Sequence, residues 1–272
     1  MLFRSDATLQ HEQRLGGHVL TGTLERREDE LLNPATAFDP ELAGRRRQHG
    51  AALGWRSDFG DHGVQLHARH DDDSEFGGHA TGSVAWGWRF LPQWRLSASA
   101  ATSFRAPTLY QRFSAFGNPA LVPETGRNVE LALRWAADES LDVALTGWRN
   151  TVSRLINFGP PGPCADPFGC YENVGRARLQ GVTLSGRAPL AGVALRGSFD
   201  WHDPRNLDTD TVLARRARRL ATLGADGQWA GFAIGAEVQA AGARFEDAAN
   251  QQRMGGYALL NLSVGRALMP GL

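Results

Sequence analysis

Apolar and polar residues alternate along most of the chain, with a period of two residues. In the segment 79–90, for example, Val84, Trp86, Trp88 and Phe90 are separated by small or polar residues. Successive side chains of a β-strand point to opposite faces of the sheet, so this alternation indicates strands with one apolar and one polar face. No long stretch has apolar residues at helical spacing. The pattern therefore predicts an all-β protein.

About thirteen such segments can be distinguished, and most of them are long. Their approximate spans are 6–15, 18–30, 43–58, 62–73, 79–90, 93–104, 126–137, 140–157, 171–188, 192–203, 213–229, 231–246 and 253–268. Strands of globular sheets usually have ~5–6 residues, whereas a tilted strand that crosses a bilayer needs ~9–11. Their length favours a membrane-spanning sheet.

The connections between these segments alternate between short and long. Short connections lie near residues 16–17, 60–61, 92, 138–139, 190–191 and 230, and long ones span 31–42, 74–78, 105–125, 159–170, 203–212 and 247–252. Outer-membrane barrels have this arrangement, with tight turns at the periplasmic end and longer outer loops. We expect an antiparallel transmembrane β-barrel, and a soluble β-sandwich is the alternative.

Aromatic residues provide a second test, because several lie near the proposed short turns. They are Trp55, Phe59, Trp88, Phe90, Trp94, Trp135, Trp229 and Phe232. Rings at one end of the strands are typical of the aromatic girdle at a membrane interface. Ordinary core aromatics at strand ends are the alternative. The polar face would then line the barrel lumen, with Glu130, Arg134, Asp142, Arg196 and Glu237 as candidate lumen residues.

Composition excludes several classes of protein. The formal net charge is zero and the charged residues are spread out, and the one dense basic cluster, residues 215–219, is too short to indicate a nucleic-acid partner. Mean hydropathy is −0.34, and no apolar run approaches the ~20 residues of a membrane helix. The first fifteen residues show no signal peptide. We therefore expect an internal piece of a longer exported chain.

Candidate chemistry is sparse. Cys164 and Cys170 lie in one long connection, where an exported protein would form a disulfide; free thiols are the alternative. His67 and His70, which precede three aspartates, point to opposite faces of a strand, and a solvated strand end explains them better than a metal site. No G-x-S-x-G, P-loop or H-E-x-x-H motif is found. We expect no catalytic activity, metal site or cofactor.

Four motifs resemble the TonB-dependent outer-membrane receptors, and most closely their cobalamin (vitamin B12) branch. They are SFRAPTLYQ with GNPALVPET (103–111 and 117–125), GWRNTVSRLINF (147–158), YENVGRARLQGV (171–182), and DPRNLDTDTVLARRAR (203–218) followed by MGGYALLNLSV (254–264). The first and third are shared with siderophore receptors. The fourth, an aspartate-rich loop before LARRA, is the one most similar to cobalamin receptors.

The resemblance implies a ligand role for Arg215, because the first arginine of this Arg-Arg pair lines the substrate cavity in cobalamin receptors. A guanidinium group at this position can donate several hydrogen bonds to amide or phosphate oxygens of a corrinoid. The alternative is that the arginines of 215–219 balance Asp203, Asp208 and Asp210. One departure is that the segment ARFEDAANQQR (243–253) lacks the tyrosines found there in the family.

The resemblance also implies an architecture and a function. Residues 1–272 are expected to be a partial barrel domain, with about 13 strands of a barrel of about 22, without the plug domain and the last strands. The expected function is TonB-energised uptake of cobalamin or a related corrinoid through the outer membrane of a Gram-negative bacterium. The implied partners are cobalamin or another metal chelate, TonB (through the plug) and outer-membrane lipid. A siderophore receptor is the first alternative, and a plug-less porin or adhesin barrel is the second.

Overall fold

A computed structural model describes residues 2–35, 41–160, 162, 164 and 166–266. Thirteen strands form one antiparallel sheet in which each strand lies beside the next in sequence. They are β1 (Leu2–Leu15), β2 (His18–Asn33), β3 (Leu42–Phe59), β4 (His62–Asp73), β5 (Gly77–Leu91), β6 (Trp94–Arg105), β7 (Glu124–Ala136), β8 (Asp142–Gly159), β9 (Cys170–Leu190), β10 (Val193–Asn206), β11 (Arg219–Trp229), β12 (Phe232–Ala241) and, after a short hairpin, β15 (Tyr257–Gly265). The predicted all-β antiparallel sheet is confirmed.

Three further elements lie within the long connections. Helix α1 (Leu109–Phe113) lies between β6 and β7, and strands β13 (Arg244–Phe245) and β14 (Arg253–Met254) pair with each other. None of them was predicted from the pattern. The predicted strand 213–229 is also too long, because β11 starts only at Arg219. No helix in the described ranges combines the length and the apolar character needed to cross a membrane.

The chain divides into two compact units. The first consists of residues 1–87, 99–129 and 150–177, and the second of residues 88–98, 130–149 and 178–272. In the first unit the register of β1 to β4 places Leu9, Leu24 and Ala51 side by side, and Leu20 beside Trp55. Leu53 is 72% exposed on the same face. We call this surface the apolar face.

The opposite surface of β1 to β4, the polar face, carries most of the charged side chains. These include Arg4, Asp6, Glu25, Asp29, Arg46, Arg69 and Asp71. The buried apolar residues of the first unit gather at the end of the strands where the long loops lie, and include Leu31, Leu109, Leu121 and Ile156. In a membrane-spanning barrel the apolar side chains of the strands face lipid and are therefore exposed in the isolated chain. The exposed apolar face agrees with this arrangement.

Aromatic rings cluster at the short-turn end of each unit. In the first unit the Trp55 ring stacks on His18, with ring centroids 5.9 Å apart, and lies 6.1 Å from Phe59. In the second unit the Phe90 ring lies 5.4 Å from Trp88 and 6.3 Å from Trp94. These positions agree with the predicted interfacial girdle.

Candidate ligand-binding loops

The connection between β6 and β7, residues 106–123, is the helical loop. It folds back over the polar face of β2 and β3, where the aromatic ring of Phe113 packs on Gly44 and Leu109 is 1% exposed. A Cβ atom at Gly44 would lie 2.9 Å from the Phe113 ring, so the absence of a side chain admits the helix. The loop therefore covers the sheet at its long-loop end instead of extending away from it.

Helix α1 is fixed at its start by its own sequence. Thr108 accepts a hydrogen bond from the Gln111 amide through its side chain, and the Gln111 side chain accepts one from the Thr108 amide. This capping box satisfies two amides that a helix terminus leaves without partners. The spacing T-x-x-Q was a signal for the helix, and sequence reasoning missed it.

A buried arginine fixes the loop to the sheet. The Arg46 guanidinium donates to the Pro107 carbonyl at 2.5 Å and to Asp29 at 3.0 Å, and it lies 3.7 Å from Asp73. Its side chain is 8% exposed, and that of Asp73 is fully buried. Asp73 also accepts hydrogen bonds from the amides of Glu75 and Phe76. The network joins β2, β3, β4 and the loop, and the sequence pattern did not indicate it.

The other end of the helical loop is fixed by polar side chains. Glu124 accepts two hydrogen bonds of 2.7 Å from Arg105 and one of 2.6 Å from the Ile156 amide, which ties β6, β7 and β8 together. Asn173 of β9 bonds both the amide and the carbonyl of Val122. The motif GNPALVPET thus ends in a crosslink between three strands.

A group of aromatic rings lies beside this crosslink. The ring centroid of Tyr171 is 6.4 Å from that of Tyr110 and 5.4 Å from that of Phe158, and Phe116 lies 5.8 Å from Phe158. We call these four residues the aromatic group. Tyr110 and Phe158 are 44% and 40% exposed, so the group leaves aromatic surface accessible beside the crosslink.

The two cysteines lie in the connection between β8 and β9. Cys164 and Cys170 are paired in the structure, with their Cα atoms 5.8 Å apart. The Cys164 amide donates a hydrogen bond of 2.9 Å to the Cys170 sulfur. Phe168, between them, is 83% exposed. The pairing closes a short loop next to Tyr171.

In the second unit, residues 207–218 form the arginine-rich loop between β10 and β11. Arg215 lies there in a left-handed backbone conformation, with φ 60°, and its amide donates to the Phe245 carbonyl at 2.6 Å. Its guanidinium pairs with Glu246, which lies between β13 and β14, and its side chain is 69% exposed. The predicted ligand residue is therefore accessible and held by a carboxylate.

The aspartates of this region pair with other arginines. Asp203 accepts hydrogen bonds from Arg205 at 3.0 Å and from Arg218 at 2.8 Å, and Asp210 accepts one from Arg205 at 2.9 Å. Of the arginines in 215–219, Arg218 therefore balances Asp203, whereas Asp210 is paired with Arg205. The structure brings Arg215 to Glu246, about thirty residues away, and no motif in the sequence indicated that contact.

Four of the five candidate lumen residues form ion pairs within the second unit. The Arg134 guanidinium lies 3.3 Å from the Asp142 carboxylate, and that of Arg196 lies 3.0 Å from the Glu237 carboxylate. Arg187 and Asp226 extend these pairs. Such pairs between strands keep a polar face charged but electrically balanced. Among the described residues, no cluster of His, Cys, Asp and Glu could hold a metal ion.

Comparison with known proteins identifies the family. Residues 2–267 match the family described as TonB dependent receptor-like, β-barrel, so the chain belongs to that family. It is a family of transport receptors and not of enzymes, and its members are outer-membrane proteins. The location of this chain is therefore the outer membrane.

Solved structures of similar fold include two receptors and a copper transporter. A mutant of the ferric enterobactin receptor PfeA from Pseudomonas aeruginosa is 19% identical, with a TM-score of 0.80 over 98% of this chain and 46% of that one. The siderophore receptor PirA from Acinetobacter baumannii is 17% identical, with a TM-score of 0.77 over 98% and 48%. The copper transporter OprC is 14% identical, with a TM-score of 0.79 over 99% and 49%. The chain spans about half the length of these structures.

Proposed function

We propose that residues 1–272 are part of the barrel domain of a longer receptor that takes up a metal chelate with energy supplied through TonB. The observation that carries this proposal is the family match over residues 2–267. In this mechanism the outer loops capture the chelate, and TonB acts on a plug domain that closes the barrel. The barrel performs no covalent chemistry. It supplies a rigid polar wall and the side chains that touch the ligand.

Cobalamin or a related corrinoid is the first candidate ligand. It is supported by the resemblance of residues 203–218 to cobalamin receptors and by the exposed Arg215 in that loop. An arginine that is held only by a solvent-exposed carboxylate can exchange that partner for a ligand oxygen at little cost, since exposed ion pairs contribute ~0–1 kcal/mol. In this mechanism Glu246 holds Arg215 until the ligand replaces it.

A ferric siderophore is the second candidate. It is favoured by the similarity in fold to the siderophore receptors PfeA and PirA. The aromatic group supports it physically, because Tyr110 and Phe158 expose rings on which a catecholate ligand can stack. Enterobactin is such a catecholate.

Calorimetric titration of the full-length receptor in detergent distinguishes these ligands. Cyanocobalamin and ferric enterobactin are titrated into the unmodified protein and into the Arg215→Ala, Arg216→Ala and Tyr110→Ala variants. A corrinoid receptor binds cyanocobalamin, and Arg215→Ala raises its Kd about tenfold, as expected for a lost charge-assisted hydrogen bond, whereas the matched Arg216→Ala does not. Binding of ferric enterobactin alone, weakened by Tyr110→Ala, would overturn the corrinoid proposal. Binding of neither probe would refute the corrinoid proposal and would exclude enterobactin as the siderophore.

We also propose that the pair Cys164 and Cys170 is a disulfide in the exported protein. It closes the loop next to Tyr171 and so limits the motion of the aromatic group. Mass spectrometry of peptides from the unreduced receptor should show the two cysteines in one crosslinked species. Two alkylated thiols, without prior reduction, would contradict the proposal.

A further inference from the structure

A row of three ionisable side chains crosses the apolar face of β2, β3 and β4. The register places Arg26 of β2 opposite His49 of β3, and His49 opposite Asp72 of β4. All three residues are exposed, and the Arg26 side chain is 59% exposed. Neighbouring strands lie ~4.8 Å apart, so Arg26 and Asp72 are the two ends of a row about 10 Å long. We call these three residues the charged row.

The charged row lies within the band of the apolar face that lipid covers. Trp55 marks the aromatic cluster at the short-turn end of β3, and His49 lies six positions away on the same face of that strand. At ~3.3 Å per residue and a tilt of about 40°, this distance corresponds to roughly 15 Å along the membrane normal, whereas the apolar band of such barrels is about 25 Å tall. Because the chain is an outer-membrane protein, the charged row lies at the level of acyl chains.

Ionised side chains at this depth require partners. A charge on the lipid face of a barrel is destabilising, and ionisable groups at membrane depth almost always pair with one another. Arg26 lies 3.6 Å from Glu28 on its own strand, but Arg45 binds the same carboxylate. Among the described residues, no hydrogen bond or ion pair includes the side chain of His49 or Asp72. The described part of the chain therefore supplies no cation to the Asp72 carboxylate.

The order of charges along the row makes it complementary to itself. Two copies of the chain inserted in one membrane have the same orientation, so a two-fold axis between them runs along the membrane normal. If this axis passes beside His49, the two rows meet in opposite order, and Arg26 of each copy faces Asp72 of the other. Because the strands are tilted, these two residues differ in height by roughly 6 Å, which the long arginine side chain can bridge.

The surface around the charged row allows close approach of a second barrel. Two adjoining depressions of about 640 and 710 Å³ lie on the apolar face. The charged row lines the first depression, and the second extends over Gly22, Ala51 and Ala68. Small residues of this kind let two backbones approach closely within a membrane. Leu53, which is 72% exposed, lies beside these small residues and supplies apolar contact area.

We infer that the apolar face of β2 to β4 is a docking surface for a second copy of this chain, held by two reciprocal ion pairs between Arg26 and Asp72. Each pair gives the Asp72 carboxylate a cation at a depth where lipid offers none. Complementary charges also fix the register of an interface, because a shifted arrangement brings like charges together. Both copies use the same patch, so the contact closes at a dimer.

Charge reversal in the full-length receptor tests this inference. The Kd of the dimer is measured by analytical ultracentrifugation in detergent. Arg26→Asp and Asp72→Arg should each raise this Kd by on the order of a hundredfold, because each variant brings like charges together at two symmetric positions. Co-expression of the two variants with different affinity tags should restore the dimer, since each reversed charge then faces an opposite one. An ion pair within one chain cannot explain a rescue that requires two different chains.

Controls separate this interface from general effects of charge and folding. Arg27→Asp reverses the next arginine of β2, which lies on the polar face, and it should leave the Kd of the dimer unchanged. In isolated outer membranes, oxidation should crosslink two copies of His49→Cys, because this position lies beside the axis. Leu262→Cys, at an exposed leucine of β15, should not crosslink. Heat-modifiable gel mobility checks that each variant is folded.

Three results would overturn the inference. The first is a monomeric unmodified receptor without a crosslink at His49→Cys, which would mean that lipid alone covers the apolar face. The second is a crosslink from His49→Cys to a protein of different mass, which would make the partner another protein. The third is failure of the two folded, reversed variants to pair with each other. Uptake of a chelate is not measured, so the result does not depend on the proposed transport function.

Discussion

The helical loop (106–123) and the arginine-rich loop (207–218) both connect long strands, but different forces hold them. In the helical loop Leu109 and Leu121 are 1% and 2% exposed, and the Pro107 carbonyl accepts a hydrogen bond from the buried Arg46. The arginine-rich loop buries Leu213 and Ala217, at 9% and 8% exposure, and adds ion pairs on its surface, such as that between Arg215 and Glu246. Because its apolar side chains are buried against β2 and β3, the helical loop is packed firmly on the sheet.

Backbone conformation differs between the two loops as well. Asp210 and Arg215 of the arginine-rich loop adopt left-handed conformations, with φ 54° and 60°, and so does Asn250, whose side chain bonds the amide and the carbonyl of Val212. Non-glycine residues at positive φ cost on the order of 1 kcal/mol each and persist where surrounding contacts impose them. The surface ion pairs of this strained loop can exchange at small energetic cost, as the proposed capture of a ligand by Arg215 requires.

The largest expected difference between the loops is in the free energy of unfolding when Arg46, which fixes the helical loop, is replaced. Arg46→Met removes the cation that lies between Asp29 and Asp73, and it leaves two buried carboxylates without their shared partner. The free energy of unfolding should fall by about 3–5 kcal/mol, the cost of breaking a buried pair. Urea unfolding of the full-length receptor in lipid vesicles, followed by tryptophan fluorescence, measures this change.

A matched control uses the same acceptor. Arg4 also bonds Asp29, at 2.8 Å, but its side chain is 51% exposed. Arg4→Met should therefore cost less than about 1 kcal/mol. Equal effects of the two substitutions would mean that burial does not distinguish these arginines, and the contrast between the loops would lose its main support.

The strands were predictable because each local pattern agreed with the final sheet. The segment 62–73 matches β4, and the remaining long strands start and end within about four residues of the alternating segments, apart from the start of β11 and the end of β12. The start of segment 213–229 was wrong because Leu213 and Ala214 resemble the apolar positions of a strand, although Arg215 turns the backbone there. The alternating pattern records the polarity of successive side chains. It contains no information on backbone dihedral angles, so it does not predict a residue with positive φ.

The sites were less predictable, because they depend on contacts between distant parts of the chain. The sequence has three consecutive arginines at 45–47. Because side chains alternate along β3, only Arg46 lies on the polar face. That it is buried depends on helix α1, which packs on β2 and β3. The contact of Arg215 with Glu246 depends likewise on the small hairpin of β13 and β14. Local patterns contain neither fact.

A smaller effect is expected in how the amide hydrogen exchange of each loop depends on salt concentration. Exposed ion pairs weaken as the screening length falls from about 10 Å at 0.1 M to about 3 Å at 1 M, whereas burial of Leu109 does not depend on salt. Amide hydrogen exchange of the receptor should therefore speed up severalfold in residues 207–218 between these salt concentrations, with little change in 106–123. Glu246→Gln should reproduce the change at low salt. Equal responses in both loops would show that surface charge does not hold the second one selectively.

The smallest expected effect concerns the carboxylate of Asp247, the residue that follows Glu246 in the chain. The amides of Gln252 and Gln251 donate hydrogen bonds of 2.7 and 3.1 Å to Asp247, and they lower the pKa of this carboxyl from its ordinary value. Since the folded pKa lies below the unfolded one, this contribution is fully present above an unfolded pKa of about 3.9. It is lost as the pH falls through the lower, folded pKa.

Exchange in residues 247–252, corrected for intrinsic rates, should therefore stay constant from pH 7 to about pH 4 and rise only below that. Asp247→Asn keeps one oxygen acceptor but no titrating group, so it should remove this low-pH step. Glu246→Gln serves as the control, because it retains Asp247 and should keep the step. If the step persisted in Asp247→Asn, another acidic residue would stabilise the hairpin of β13 and β14. The hydrogen bonds of Asp247 would then not be what positions Glu246 beside Arg215.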